Sequence, residues 1–193
     1  MLGIFLDTET SGLNPFKHSV LELAYKMVDL LSGKELLSFE SMVAQPKEIW
    51  QRADPNSLKV NGITWEKVSQ GISPEEIKKR ILADFTEYQV HREKAIFICQ
   101  NPSFDRAFFS QLIDPDLQES LEWPYHWLDL ASMYWATQMD RSPLPWETGV
   151  SKDKISAVYQ IAPEEKPHRA INGVDHLLLC YEAVVGFPQK VYT

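Results

Sequence analysis

The chain has 193 residues, 44% apolar and 24% charged, an ordinary globular composition with enough length to bury a core without covalent staples. Its formal charge of −8 argues against a protein that grips long duplex nucleic acid through a broad basic face. No stretch approaches the roughly 18 uninterrupted apolar residues of a membrane span, and a start with acids at Asp7 and Glu9 does not read as a secretory signal. Cys99 and Cys180 lie in apolar and helical surroundings, so they read as small core residues rather than a disulfide or metal pair. One domain over residues 1–193 and a cytoplasmic location are the expectations, with no membrane association.

In chain order, residues 2–6 predict a short buried strand. Residues 20–30 and 35–43 predict two more, joined by the turn Ser32-Gly33-Lys34. Residues 46–63 are irregular, with Asp54-Pro55-Asn56 opening a short helix and Asn61-Gly62 closing it. Ser73-Pro74-Glu75-Glu76 is a strong helix start, a capping serine followed by proline and first-turn acids. Ile77, Ile81, Leu82 and Phe85 continue it as an apolar stripe. A strand over 95–99 leads into a helix opened by Asn101-Pro102-Ser103, with Phe104, Phe108 and Leu112 on its apolar face. Trp127-Leu128 ends a strand at Asp129, and residues 131–139 are helical. Ser151 caps a helix to about residue 160, and Ala170, Ile171, Val174, Leu177, Leu178, Tyr181, Val184 and Val185 mark the last one. Early strands followed by alternating helix and strand imply an α/β layer with a mixed sheet.

Asp7 and Glu9 stand two apart at the end of an apolar run, so a strand aims both carboxylates to one side. Like charges that close repel unless a cation lies between them; the alternative is a strand ending in solvated acids. Asp105 lies in the first turn of the helix after the 95–99 strand, near a strand end where α/β clefts form. It could equally complement the helix dipole. His168, in Pro167-His168-Arg169-Ala170, precedes the final helix and reads as a base or a surface residue. Of the remaining histidines, His176 lies within that helix and 18, 91 and 126 sit in no useful pattern. The six tryptophans show no arrangement that distinguishes base stacking from packing.

Taken in order, Asp7-Thr8-Glu9-Thr10-Ser11-Gly12-Leu13, Asn101-Pro102-Ser103-Phe104-Asp105 and His168-Arg169-Ala170 resemble the DEDDh family of 3′-to-5′ exonucleases. That family includes the proofreading subunit of bacterial DNA polymerase III, ribonuclease T and oligoribonuclease. Asn61-Gly62-Ile63-Thr64 also resembles the family's Gly-Ile-Thr segment. The resemblance implies a ribonuclease H-like three-layer fold with a mixed, roughly five-stranded sheet. It implies two divalent cations, magnesium or manganese, held by Asp7, Glu9 and Asp105, with His168 as general base. Imidazole titrates near neutral pH, as that role requires. Substrate contacts are expected from Thr8, Leu13, the wedge position after the glycine, and Phe104, acting on the 3′ end of a single strand.

The last acidic ligand of the family falls five positions after the histidine, where this chain has Gly173. The nearest acid is Asp175. A two-residue shift on a continuous helix turns a side chain by about 200°, so Asp175 can serve as a ligand only if Asn172-Gly173 breaks the first turn. Three readings follow: an exonuclease, a weakened or inactive nucleic-acid-binding module on the same scaffold, and a metal-dependent phosphohydrolase of small nucleotides. DNA or RNA preference is not encoded in any motif. The short stretch after His168 leaves no room for a polymerase-docking tail, so action alone, as a homodimer or on a partner is open.

Overall fold

In the computed structural model, which describes residues 1–189, the axis of the fold is β1 (Leu2–Thr10). β2 (Val20–Asp29) runs antiparallel beside it and β3 (Lys34–Met42) continues the meander outward. On the other flank β4 (Ala95–Cys99) runs parallel to β1, and β5 (Trp127–Asp129) parallel to β4. The sheet order is β3-β2-β1-β4-β5.

Between β3 and β4 lie α1 (Lys47–Trp50), α2 (Pro55–Asn61), α3 (Trp65–Ser69) and α4 (Pro74–Glu87). Helices α5 (Pro102–Phe109) and α6 (Pro115–Ser120) join β4 to β5. After the sheet come α7 (Leu130–Gln138), α8 (Pro145–Thr148), α9 (Lys152–Val158) and α10 (Ala170–Val184). Local chemistry explains the starts of α2 and α4. Asp54 accepts from the Asn56 backbone N–H at 2.8 Å, and Ser73 from that of Glu76 at 3.2 Å. Gly62 closes α2 at φ 61°, where a side chain would be strained.

Side chains alternate across β1. Ile4 and Leu6 enter a core with Ile81 and Phe85 of α4, Phe97 of β4 and Phe108 of α5. Phe5 enters the opposite core with Leu130 of α7, Ile155 of α9, and Val174 and Leu177 of α10. Helices on both faces of a mixed sheet make this the expected ribonuclease H-like three-layer fold.

Two features differ from the sequence expectation. β1 continues to Thr10, so Asp7 and Glu9 lie inside the strand, opposite Ala24 and Glu22, rather than at its end. Pairing with β2 holds this polar stretch extended. Four short helices, α1, α3, α6 and α8, were not legible because four to six residues complete too few turns to show a period.

Candidate active site

The odd-numbered residues of β1 share the face covered by α10: Phe5 meets the edge of Tyr181 at a ring separation of 5.1 Å. Two residues along, Asp7 lies against Gly173. An ideal Cβ at position 173 would overlap Asp7 Oδ2 and lie 2.7 Å from Asp7 Cγ. The helix therefore approaches the strand closely because residue 173 has no side chain. Its glycine serves close approach rather than a turn.

That finding corrects the expectation for Asp175. Helix α10 is continuous from Ala170, and the Gly173 N–H donates to Arg169 O at 2.9 Å, so no break follows Asn172. Asp175 instead turns outward, half exposed, and pairs with Lys26 at 2.5 Å. It borders a separate hollow with Ala162, Asn172 and Leu179. The acid that the family resemblance places at 173 has no replacement from this helix.

Asp105 comes to the site from α5. It is 4% exposed, and its Oδ1 accepts from the Thr8 backbone N–H at 3.1 Å and the Thr8 hydroxyl at 2.9 Å. Thr8 thus fixes a neighbouring acid. The start of α10 is pinned by a buried carboxylate on β2. Glu22, 1% exposed, accepts a forked pair of bonds from Arg169 and a bond from the Ala170 N–H at 3.0 Å. This anchor sets the position of His168 one residue earlier.

His168 Nδ1 meets Glu164 Oε1 at 2.9 Å, which leaves Nε2 as the ring nitrogen available to the site. Glu164 is 3% exposed at its side chain, and its other oxygen takes an ion pair from Lys152 Nζ at 2.7 Å. Lys152 also donates to Gly173 O at 3.1 Å. One hollow of about 240 Å³ brings together Asp7, Glu9, Asp105, His168, Lys152 and Glu164, with Gln100 at its wall. Gln100 anchors its amide on Val150 O at 2.9 Å and leaves Oε1 buried without a hydrogen-bond partner. An adjoining cleft of about 370 Å³ is lined by Leu13, Val60 and Asn61 and shares Thr8, Glu9 and Phe104 with the first. Leu13 is 75% exposed there, while Phe104 also packs on Phe108 at 4.8 Å, so it serves both the cleft and the core.

The electrostatics are those of acids held close against their repulsion. Burial pushes the Asp7 carboxyl well above its ordinary pKa; Lys152 opposes this, and Asp105, Glu164 and Glu22 add to it. Glu9 is pushed up to about 8, first by burial and then by Asp7 and Glu22. Asp105 rises to about 7 through burial, although the Thr8 hydrogen bond and Lys152 pull it down. Glu164 goes the other way: burial would raise it, but Lys152 and His168 bring it below its usual value. Burial would lower Lys152, but Asp7 and Glu164 hold its pKa above that of a free amine.

Sequence reasoning missed Lys152, Glu164 and Glu22, and gave Gln100, which precedes the Asn101-Pro102-Ser103 helix start, no role. The only local signal was the four-residue spacing of Glu164 and His168; the rest are brought in by tertiary contact.

No protein-family model matches the chain. Ribonuclease T of Actinobacillus pleuropneumoniae serotype 5b (strain L20) is 32% identical over 114 residues, 55% of this chain and 51% of that protein. The match therefore spans about half the length of that relative. Among solved structures, E. coli exonuclease I in complex with a dT13 oligonucleotide superposes with a TM-score of 0.76 at 16% identity. It covers 95% of this chain and 40% of its own. Cell-death related nuclease 4 gives 0.72 at 15% identity, covering 97% and 65% respectively. The nuclease domain of 3′hExo, a DEDDh family member bound to rAMP, gives 0.69 at 11%, covering 100% and 96%. At these identities the likeness defines the fold, which is ribonuclease H-like.

As they stand, no three His, Cys, Asp or Glu side chains among the described residues converge tightly enough to hold an ion. The donor chemistry nonetheless suits one hard cation. Asp7, Glu9 and Asp105 supply crowded carboxylate oxygens, and Gln100 Oε1 is an orphaned buried acceptor beside them. The side toward α10 suits a second cation poorly, since residue 173 offers no oxygen from a side chain and an ammonium already sits there.

Proposed function

We propose that the protein is a metal-dependent 3′-to-5′ exonuclease acting on the ends of single-stranded nucleic acid. The observation that carries this reading is the convergence of Asp7, Glu9, Asp105 and His168, from three distant stretches of chain, on one hollow. The adjoining cleft, with Leu13, Val60 and Phe104 in its lining, supports it, because a terminal base could lie against Leu13 and Phe104 while its phosphate enters the acidic hollow. The nuclease likenesses, including one with an oligonucleotide and one with rAMP, support the same substrate class.

Asp7, Glu9 and Asp105 would hold a divalent cation, magnesium or manganese. When bound, such an ion supplies Lewis acidity toward the phosphate oxygens. Thr8 holds Asp105 in place through two hydrogen bonds. Glu164 fixes the His168 ring through Nδ1, so Nε2 is presented as the acceptor for a proton from the attacking water. Glu22 and Arg169 keep that ring against the sheet.

One observation favours a second reading, a weakened or silent binding module: Gly173 supplies no fourth carboxylate. An assay with end-labelled single-stranded DNA and RNA in magnesium or manganese separates the two. Stepwise release of mononucleotides from the 3′ end is expected, falling by about 10²-fold or more in His168→Ala and to background in Asp7→Ala. Equal background rates for the wild type and Asp7→Ala would end the proposal, and strand binding without release would favour the module.

A further inference from the structure

Lys152 is the one cationic side chain lining the acidic hollow among the described residues, and no sequence motif marks it. Its side chain is 13% exposed, paired with Glu164 at 2.7 Å and bonded to Gly173 O at 3.1 Å. Gly173 is also the residue that abuts the Asp7 carboxylate. The ammonium therefore sits on the side of the site where a two-cation arrangement needs another oxygen ligand and this chain has none. A lysine buried in that way is costly unless carboxylates surround it. Glu164 fulfils that need, and the same carboxylate orients His168 through its other oxygen. Lys152, Glu164 and His168 thus form one connected unit along the wall facing Asp7, Glu9 and Asp105.

From this geometry we infer that Lys152 stands in for the second cation: the site takes one divalent ion on Asp7, Glu9 and Asp105, and the Lys152 ammonium supplies the other positive charge facing the phosphate. The inference rests on the exonuclease reading for its substrate, but its ion count can be measured without one. An ammonium is a compact point charge with rotatable donors, suited to a phosphate oxygen in a wet cleft. Glu164 is accordingly a positioning residue for both Lys152 and His168.

Manganese titration of the full chain at neutral pH, by calorimetry and by electron paramagnetic resonance, tests this without substrate. One ion is expected for the wild type and for Lys152→Arg, which keeps the charge. Lys152→Gln releases Glu164 Oε2 from its ion pair and removes the ammonium, so a second ion is expected, at least about ten-fold weaker, with the spin coupling of a paired site. Two ions or none in the wild type would overturn the inference, as would an unchanged single ion in Lys152→Gln. Should the glutamine variant fail to fold, the counts for the wild type and Lys152→Arg decide alone, since two ions in either refute it. Mononucleotide release by a protein holding two ions would leave the exonuclease reading standing and remove this one. A single ion with no release would do the reverse.

Discussion

Replacing Gly173 by alanine sets two opposing effects against each other. In the interior of a helix such as α10 (Ala170–Val184), alanine is favoured over glycine by about 1 kcal/mol. Against that gain, the new Cβ would overlap Asp7 Oδ2, with Asp7 Cγ at 2.7 Å and Oδ1 at 3.3 Å. A carboxylate on a two-bond stem inside a paired strand has little room to withdraw. The helix must therefore back away from β1 and loosen the seats of Val174 and Leu177, both essentially fully buried. Overpacking of this kind costs about 1–3 kcal/mol. Gly173→Ala should thus be neutral to about 2 kcal/mol less stable. At about 2–4 °C per kcal/mol for a chain of this size, the melting temperature falls by at most about 8 °C. In an Asp7→Ala background the obstruction is gone and only the helix gain remains, so the same substitution should raise the melting temperature by about 2–4 °C. Thermal melts of the four proteins measure the coupling, expected at about 1–3 kcal/mol. Equal shifts in both backgrounds would show that α10 does not rest on the Asp7 carboxylate.

Two further outcomes follow from the site and its surroundings. Asp7, Glu9 and Asp105 all have raised pKa values in the folded state, the latter two near 8 and 7. The folded protein then holds more protons than the unfolded chain between about pH 4 and 8, so stability contributed by these groups is present at low pH and lost as pH rises. In chelator the melting temperature should fall across pH 5 to 8, and millimolar manganese should restore it increasingly toward pH 8, because the ion competes with protons for the same oxygens. A melting temperature in chelator that is flat or rises over that range would contradict the crowded-acid description. Asp175→Ala removes only an outward ion pair with Lys26, whose other partner, Glu35, stays at 2.9 Å. Stability should change by less than about 1 kcal/mol, and on the proposed exonuclease reading mononucleotide release should stay within about two-fold; abolished release would restore Asp175 to the site.

The local chemistry of the chain foretold much of the scaffold. Capping by Asp54 and Ser73, the turn at Gly33 and the apolar stripes of α4 and α10 depend on neighbours within a few residues, and all are found where the sequence placed them. The acids Asp7, Glu9 and Asp105, with His168, were picked out because each lies in a short, ordered motif, and they do line one hollow. Whether Asp175 reaches the site is undecidable from the sequence, because a two-residue pattern, Asn172-Gly173, looks the same whether its glycine ends a turn or admits a neighbouring carboxylate.

Position along the chain thus determined the strands, the longer helices and the candidate acids, since those follow from periodicity, caps and residue chemistry over a few residues. Only the tertiary structure decided that Glu22 would anchor α10 from 147 positions away, that Lys152 and Glu164 would join the acids, and that Asp175 would face outward. Such pairings arise when packed layers bring distant segments within the few ångströms over which ion pairs and hydrogen bonds act, and no local pattern encodes that distance.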